Sequence, residues 1–162
     1  PVLPGYCGMM PHDAKQKLGL NVTDGGLWNG YQRPANLSPT DSRFAEIADL
    51  YYKELTKLFG KSDYYSMDPF HESNDDAAVD YDQAGQALMS AMKRANPNAT
   101  WVVQGWTENP RPQMIKNLAT SSSSTSSPNV ARCLAVLASG SVRAATASTS
   151  GSSVCWRTSV PT

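Results

Sequence analysis

Residues 64–72 read YYSMDPFHE and residues 100–112 read TWVVQGWTENPRP, and these two stretches decide the fold. Each begins with a short run of aromatic or β-branched residues, which is typical of a strand, and continues into a loop rich in polar residues and proline. A helical pattern precedes the first stretch, another separates the two, and a third follows. This order indicates βα units, in which parallel strands are covered by helices, and predicts an α/β fold.

The first helical pattern is predicted to start at the capping signal Ser-Pro-Thr-Asp, residues 38–41, and to stop at Gly60. Its apolar positions at helical spacing are Phe44, Ile47, Ala48, Leu50, Tyr51, Leu55 and Leu58. Before this helix, the segment Leu20-Asn21-Val22 is a candidate for a further strand.

The second helix is predicted over residues 76–95, with an acidic start that suits the positive end of the helix dipole. Its expected buried stripe consists of Ala84, Leu88, Ala91 and Met92. Asn96-Pro97 should end it, and a third helix should start at Pro112 and run through Leu118. The acidic run at residues 75–82 lacks the glycine and terminal glutamate of a calcium loop, so it is interpreted as helix charge rather than a metal site.

The composition divides the chain into two parts. Residues 1–118 carry all 14 acidic and 11 of the basic groups, a net charge of −3, whereas residues 119–162 contain no Asp, Glu or Lys and hold 13 Ser, 6 Thr and 7 Ala. The absence of a basic excess argues against a partner that is nucleic acid or a membrane surface. No apolar run reaches the roughly 20 residues that a membrane span needs. The chain starts without Met or a signal-like segment, so we expect an internal fragment whose compartment is not encoded in it.

The candidate site residues follow the two predicted strands. His71 and Glu72 lie in the loop after the first strand, and Gln104 and Trp106 lie where the second strand ends. Active sites of parallel α/β folds form at the carboxyl ends of strands. A glutamate can act as acid or base, a tryptophan face stacks on a pyranose ring, and an amide bonds to hydroxyls, so this set indicates a sugar-binding site.

Each of these residues also has a structural interpretation. Glu72 is compatible with a solvated loop acid or a cap of the following helix, Trp106 with core packing, and His71 with a hydrogen-bonded structural histidine. Of the three cysteines, Cys7 is interpreted as a small buried apolar residue. An odd count without a C-x-x-C pair does not indicate a disulfide framework.

Taken together, residues 2–118 resemble the catalytic region of the α-N-acetylglucosaminidases, family 89 of the glycoside hydrolases. The stretch 68–72 (DPFHE) is similar to the family's acid/base motif, and residues 101–106 (WVVQGW) are similar to its next strand. The segment 21–23, the region of Trp28 and the helix that starts at Phe44 match its upstream part. The resemblance implies a (β/α)8 TIM-like barrel, of which this chain would hold about two to three βα units.

The resemblance also implies retaining hydrolysis of terminal α-linked N-acetylglucosamine, with a carbohydrate as partner and no cofactor or metal. Glu72 would be the general acid/base, and Trp106, His71, Gln104 and Trp28 would bind substrate. The second carboxylate of such a mechanism, about 5 Å from the first, lies further downstream in the family. Since no acidic residue follows Glu108, the fragment is expected to be inactive alone. The resemblance implies a parent protein that is secreted, periplasmic or lysosomal.

Residues 119–162 are predicted to form a Ser/Thr/Ala-rich, disordered tail. A second interpretation is a frameshift near residue 118. If each serine is encoded by a TCN codon, a frame in which each codon takes its first base from the preceding codon reads NTC, which encodes Leu, Ile, Val or Phe. In that frame the codons of residues 119–129 can encode the apolar strand that follows the third helix in the family. The fragment of the catalytic barrel would therefore end at residue 118, and residues 119–162 would be an out-of-frame tail.

Two other functions remain open at this stage. One is a related glycosidase with another linkage preference, and the other is a non-catalytic carbohydrate-binding module that uses Trp106 and Trp28.

Overall fold

A computed structural model describes residues 1–70, 79–105, 110–116, 118, 132–137, 142–146 and 156–158. Its strands are β1 (Val2–Pro4), β2 (Met9–Met10), β3 (Val22–Thr23), β4 (Leu27–Trp28), β5 (Tyr31–Gln32), β6 (Ala35–Leu37), β7 (Tyr64–Ser66), β8 (Thr100–Gly105), β9 (Arg132–Leu137), β10 (Val142–Thr146) and β11 (Trp156–Thr158). Its helices are α1 (Ala14–Leu18), α2 (Phe44–Phe59), α3 (Tyr81–Ala95) and α4 (Pro112–Lys116).

The main sheet has the strand order β1-β7-β8-β9-β10-β11. Its first four strands are parallel neighbours, and β10 and β11 are added antiparallel. Because α2 connects β1 to β7 and α3 connects β7 to β8, the parallel part consists of successive βα units. The predicted α/β fold with parallel strands is confirmed.

Helix α2 begins later than the capping signal predicted. Residues 38–41 form a turn instead, in which the backbone N–H of Asp41 donates to the carbonyl of Ser38 at 3.0 Å, and the helix starts at Phe44. The predicted end is confirmed, since Gly60 follows the helix at φ 78°. Leu50 and Leu58 were expected in the buried stripe and are 53% and 71% exposed, because the buried face is narrower than the apolar pattern.

Helix α3 agrees with its pattern in its buried face and its end, but the predicted start at residue 76 is wrong, because residues 79 and 80 are not helical. All four residues of the expected stripe are buried, and the helix ends before Asn96. The described helix starts at Tyr81, and the side chain of Asp80 caps it by accepting a hydrogen bond from the backbone N–H of Gln83 at 3.0 Å. Helix α4 starts at Pro112 as predicted but ends at Lys116, and Leu118, which was expected in the helix, lies in a turn.

Strands β7 and β8 lie where the sequence predicted them, whereas other strands differ. The candidate strand near Leu20 is described as β3, which pairs with β6 in a small antiparallel sheet of order β2-β6-β3 and not with the parallel strands. Strand β1 was not predicted, because three residues flanked by Pro1 and Gly5 give no periodic signal. Within the tail, β9, β10 and β11 are strands, so the predicted disorder does not hold for these segments.

The core joins the parallel sheet to α2, α3 and α4. Its largest fully buried side chains include Trp101 of β8, Tyr65 of β7, and Tyr52 and Phe44 of α2. The indole N–H of Trp101 donates to the carbonyl of Met67 at 2.8 Å, so this large ring is buried with its polar atom bonded. No helix in the described part of the chain has the length and apolarity to cross a membrane.

Candidate active site

The carboxyl ends of β1, β7 and β8 lie side by side at one edge of the sheet. Pro4 is in register with Ser66, and Ser66 with Val102. The chain therefore leaves the three strands at neighbouring points, into loops that start at Gly5, Met67 and residue 106. Enzymes with parallel α/β folds bind their substrates at this edge, so it is the candidate active site.

Hydrogen bonds tie the first loop residues to the neighbouring strands. The backbone N–H of Gly5 donates to the carbonyl of Ser66 at 2.8 Å, and that of Met67 donates to the carbonyl of Val102 at 3.1 Å. One step further, a carboxylate oxygen of the half-buried Asp68 accepts from the backbone N–H of Gln104 at 2.7 Å. The starts of the loops are thus held in fixed relation to one another.

Phe70 ends the described part of the loop after β7 in an unusual conformation. Its φ of 61° lies in the left-handed region, which aromatic residues rarely adopt. Its ring packs edge-on against Tyr81, with 5.5 Å between the ring centroids. The guanidinium carbon of Arg111 lies 5.0 Å from the centroid of the same Tyr81 ring. The connection from β7 to α3 and the connection from β8 to α4 therefore meet at one tyrosine.

A group of packed tyrosines lies next to the residues that follow β1. The hydroxyl of Tyr52 accepts a hydrogen bond from the backbone N–H of Tyr6 at 3.2 Å, and Tyr51 donates to the carbonyl of Pro4 at 3.1 Å. Burial raises the pKa of Tyr52, of Tyr6 and of Tyr51. These phenols therefore stay protonated at neutral pH and act as structural hydrogen-bonding groups.

Cys7 follows β1 and lies half-buried near the same edge. Burial raises the pKa of its thiol, and the negative charge of Asp68 raises it further. The thiol is accordingly neutral, which agrees with the interpretation of Cys7 as a small apolar residue.

The structure places two of the five predicted site residues. Gln104 is exposed on β8 near its carboxyl end, beside Asp68. Trp28 belongs to the β4–β5 hairpin, is 54% exposed, and has the guanidinium carbon of Arg33 5.4 Å from its ring centroid. His71, Glu72 and Trp106 lie outside the described residues. Among those described, no three His, Cys, Asp or Glu side chains are grouped so that they could hold a metal ion.

The hairpin of Trp28 lies in the connection that leaves the carboxyl end of β1 and leads to α2. Its turn uses Asn29 and Gly30 at φ 48° and 83°, the conformation that suits a two-residue hairpin. The side-chain amide of Gln32 donates to a carboxylate oxygen of Asp24 at 2.9 Å and braces the base of the hairpin. The hairpin shares neither sheet nor strand with Gln104.

Sequence reasoning included Asp68 and Phe70 only as members of the 68–72 motif, without roles of their own, and did not consider Tyr81 or Arg111 at this edge. Asp68 could have been noticed as an acid at a strand end. The positive φ of Phe70 and the contact between residues 70, 81 and 111 carry no sequence signal, because they depend on tertiary packing.

Known proteins are similar to this chain over most of its length. The model of the family described as the α-N-acetylglucosaminidase (NAGLU) TIM-barrel domain matches residues 1–136. The α-N-acetylglucosaminidase of Homo sapiens is 32% identical over 120 residues, which covers 70% of this chain and 16% of the human protein.

Solved structures of a family 89 glycoside hydrolase from Clostridium perfringens are also similar. The complex with 2-acetamido-1,2-dideoxynojirmycin has a TM-score of 0.66 and 31% identity and covers 73% of this chain. A variant of that enzyme with two Glu-to-Gln substitutions, in complex with its substrate GlcNAc-α-1,4-galactose, has a TM-score of 0.66 and 30% identity. The complex with PUGNAc has a TM-score of 0.67 and 28% identity and covers 85% of this chain. The chain spans 14–16% of the length of these relatives.

Proposed function

Because the chain belongs to the α-N-acetylglucosaminidase family, glycoside hydrolase family 89, we propose that it is part of a retaining exo-glycosidase that releases terminal α-linked N-acetylglucosamine from glycans. The observation that carries this proposal is the likeness, over most of the chain, to a structure that holds the substrate GlcNAc-α-1,4-galactose. The edge of the sheet formed by β1, β7 and β8 supplies a suitable place for such a site.

The described α/β unit is proposed to be part of a (β/α)8 barrel. Strands β1, β7 and β8 are parallel, adjacent and consecutive in the main sheet, with α2 and α3 as connections, as in a barrel of this type. A complete barrel needs about 250 residues, so the unit would supply about two to three of the eight repeats. Residues 1–118 are proposed as the barrel fragment and residues 119–162 as an out-of-frame tail.

Glu72 is proposed as the general acid/base. In the first step its carboxyl proton goes to the glycosidic oxygen while a second carboxylate attacks the anomeric carbon, so that the C–O bond breaks and a covalent glycosyl-enzyme forms. In the second step Glu72 takes a proton from water, whose oxygen attacks the anomeric carbon and releases the second carboxylate. That nucleophile would come from protein sequence beyond this chain, since no Asp or Glu follows Glu108.

The sugar would be held by side chains of the neighbouring loops. Gln104 is exposed beside Asp68, and a side-chain amide both donates and accepts hydrogen bonds, so we assign it to binding sugar hydroxyls. We assign Trp106 to stacking on the pyranose and His71 to orienting Glu72 or the substrate. Trp28 would contact a more distant part of the glycan, because its hairpin belongs to the loop that leaves β1.

The test uses the complete protein that carries this chain in the corrected reading frame, assayed on aryl α-N-acetylglucosaminides. Glu72→Gln should lower kcat by about 100- to 10,000-fold, with the larger loss for phenols of high pKa, because these leaving groups need the proton most. Glu54→Gln is the matched control, since Glu54 is an exposed residue of α2 with Lys57 as its partner. A wild-type protein that binds N-acetylglucosamine but turns over no glycoside would contradict the proposal and support the sugar-binding module.

A further inference from the structure

The stack of Phe70, Tyr81 and Arg111 stands beside both segments that carry proposed catalytic and binding residues. Phe70 is the last residue before the segment 71–78, which contains Glu72, and Tyr81 begins α3 shortly after that segment. Arg111 follows the segment 106–109, which contains Trp106, and directly precedes α4. The half-buried ring of Tyr81 contacts both partners, at 5.5 Å for the Phe70 ring centroid and 5.0 Å for the Arg111 guanidinium carbon.

Tyr81 is itself held by rigid structure. The cap formed by Asp80 and Gln83 fixes the first turn of α3, and the next residues toward the core, Ala84 and Gly85, are buried. A methyl group at Gly85 would overlap the backbone carbonyl oxygen of Met114, so α3 and α4 are packed backbone to backbone. The distance between Tyr81 and Arg111 therefore follows from the contact of two helices.

The backbone of Phe70 requires such a support. A residue with a side chain reaches a φ of 61° only against a steric penalty, and the conformation persists where the surroundings hold it. The edge-on contact with Tyr81 is an arrangement that aromatic pairs favour. Packing on Tyr81 thus compensates for the unfavourable backbone geometry immediately ahead of His71 and Glu72.

We propose that Tyr81 is a positioning residue for the hydrolysis, which fixes through its ring both ends of the Glu72 segment and one end of the Trp106 segment. This inference rests on the proposed role of Glu72. The ring carries the effect, because Phe70 and Arg111 each contact the aromatic system. Tyr81 acts through the orientation of other side chains and needs no contact with the sugar.

The experiment compares Tyr81→Phe and Tyr81→Leu in the complete, frame-corrected protein. Tyr81→Phe keeps the ring and should lower kcat much less than Tyr81→Leu, which should lower kcat by about 10- to 100-fold and change KM by less than about 3-fold. Tyr64→Leu is the control, because Tyr64 is 47% exposed and begins β7 at the opposite edge of the sheet. Arg111→Met should lower kcat in the same direction and is the second variant if Tyr81→Leu folds poorly.

The contact itself is measured by a double-mutant cycle of Phe70→Leu and Tyr81→Leu in urea unfolding. We expect a coupling of about 2- to 10-fold in the unfolding equilibrium constant. Three outcomes would overturn the positioning role while leaving the proposed function intact. They are full activity of both Tyr81→Leu and Arg111→Met, an equal loss of kcat in Tyr81→Phe and Tyr81→Leu, and a coupling indistinguishable from zero. An inactive wild type would instead refute the proposed function.

Discussion

The carboxylate of Asp68 accepts a hydrogen bond from the backbone N–H of Gln104 at 2.7 Å, although the two residues are 36 positions apart. The last backbone bond of this pairing runs from Met67 to Val102, and beyond it the chain turns away at Pro69 and Phe70. The Asp68 side chain therefore continues the ladder between β7 and β8 after the backbone has left it. It links the starts of the two loops that carry Glu72 and Trp106.

Replacing Asp68 by alanine should destabilise the fold more than replacing it by asparagine. Asp68→Ala removes the acceptor of the Gln104 N–H, with an expected loss of about 1–2 kcal/mol in the free energy of unfolding. Asp68→Asn keeps an oxygen in the same place and should lose less than half as much. Urea unfolding of the three proteins measures both values, and equal losses would show that the charge rather than the hydrogen bond is important.

The thiol of Cys7 should react more slowly with iodoacetamide than an unstructured cysteine does at the same pH. Burial and, second, the Asp68 charge raise the pKa of this thiol, so less of it is the reactive thiolate. The measurement uses a background of Cys133→Ser and Cys155→Ser, in which only Cys7 reacts. Asp68→Asn in that background should react faster, because it removes the nearby negative charge while keeping the acceptor.

The same pKa shift predicts a pH dependence of stability. The pKa of Cys7 is higher in the folded than in the unfolded protein. The thiol's contribution to the free energy of unfolding is therefore complete below the unfolded-state pKa of about 8.5 and is lost as the pH rises through the folded-state pKa. The Cys7→Ala variant should lack this part of the alkaline decrease in the free energy of unfolding. An identical pH profile for both proteins would contradict the assignment.

Tyr52→Phe should lower the free energy of unfolding by about 1–3 kcal/mol. The Tyr52 hydroxyl is the acceptor for the buried backbone N–H of Tyr6 and also contacts the sulfur of Met67. Phenylalanine preserves the ring and leaves that N–H without its acceptor. Tyr64→Phe, at a 47% exposed position, is the matched control and should change the value by less than about 0.5 kcal/mol.

Local patterns were sufficient to predict the parts of the fold with long, periodic signals. Helix α3 was predicted with its buried stripe and its end at Asn96, and α2 with its end at Gly60. The start of α2 was wrong because the Ser38 signal caps a turn that precedes the helix. Strands β7 and β8 were recognisable because their residue types favour extended structure.

The remaining features depend on contacts that sequence patterns do not contain. Strand β1 is too short to be periodic and exists because β7 pairs with it in register. The positive φ of Phe70 likewise depends on a tertiary contact, the packing on Tyr81. The hydrogen bond of Asp68 depends on one too, because its partner Gln104 lies on another strand. Gln104 and Trp28 were named in advance, but only tertiary structure could place them on separate sheets.

Gly85→Ala should destabilise the protein although alanine favours helices by about 1 kcal/mol. The added methyl group would overlap the carbonyl oxygen of Met114, which is backbone and cannot rotate away. We expect a net loss of about 1–3 kcal/mol as α4 is displaced. Gain of stability in thermal or urea unfolding would mean that α4 shifts without cost and that the contact between α3 and α4 does not restrain Arg111.

The coding DNA tests whether residues 119–162 are read out of frame. A frameshift near residue 118 predicts TCN codons for Ser121, Ser122, Ser123 and Ser124, because only these become apolar codons in the shifted frame. AGY codons at these positions would contradict it. The edge of β8 that β9 occupies can pair with one strand at a time. In the corrected frame the sequence that forms β9 is itself replaced. The apolar run encoded across positions 119–129 would then occupy that place, and the corrected protein should unfold at a higher urea concentration than the chain described above.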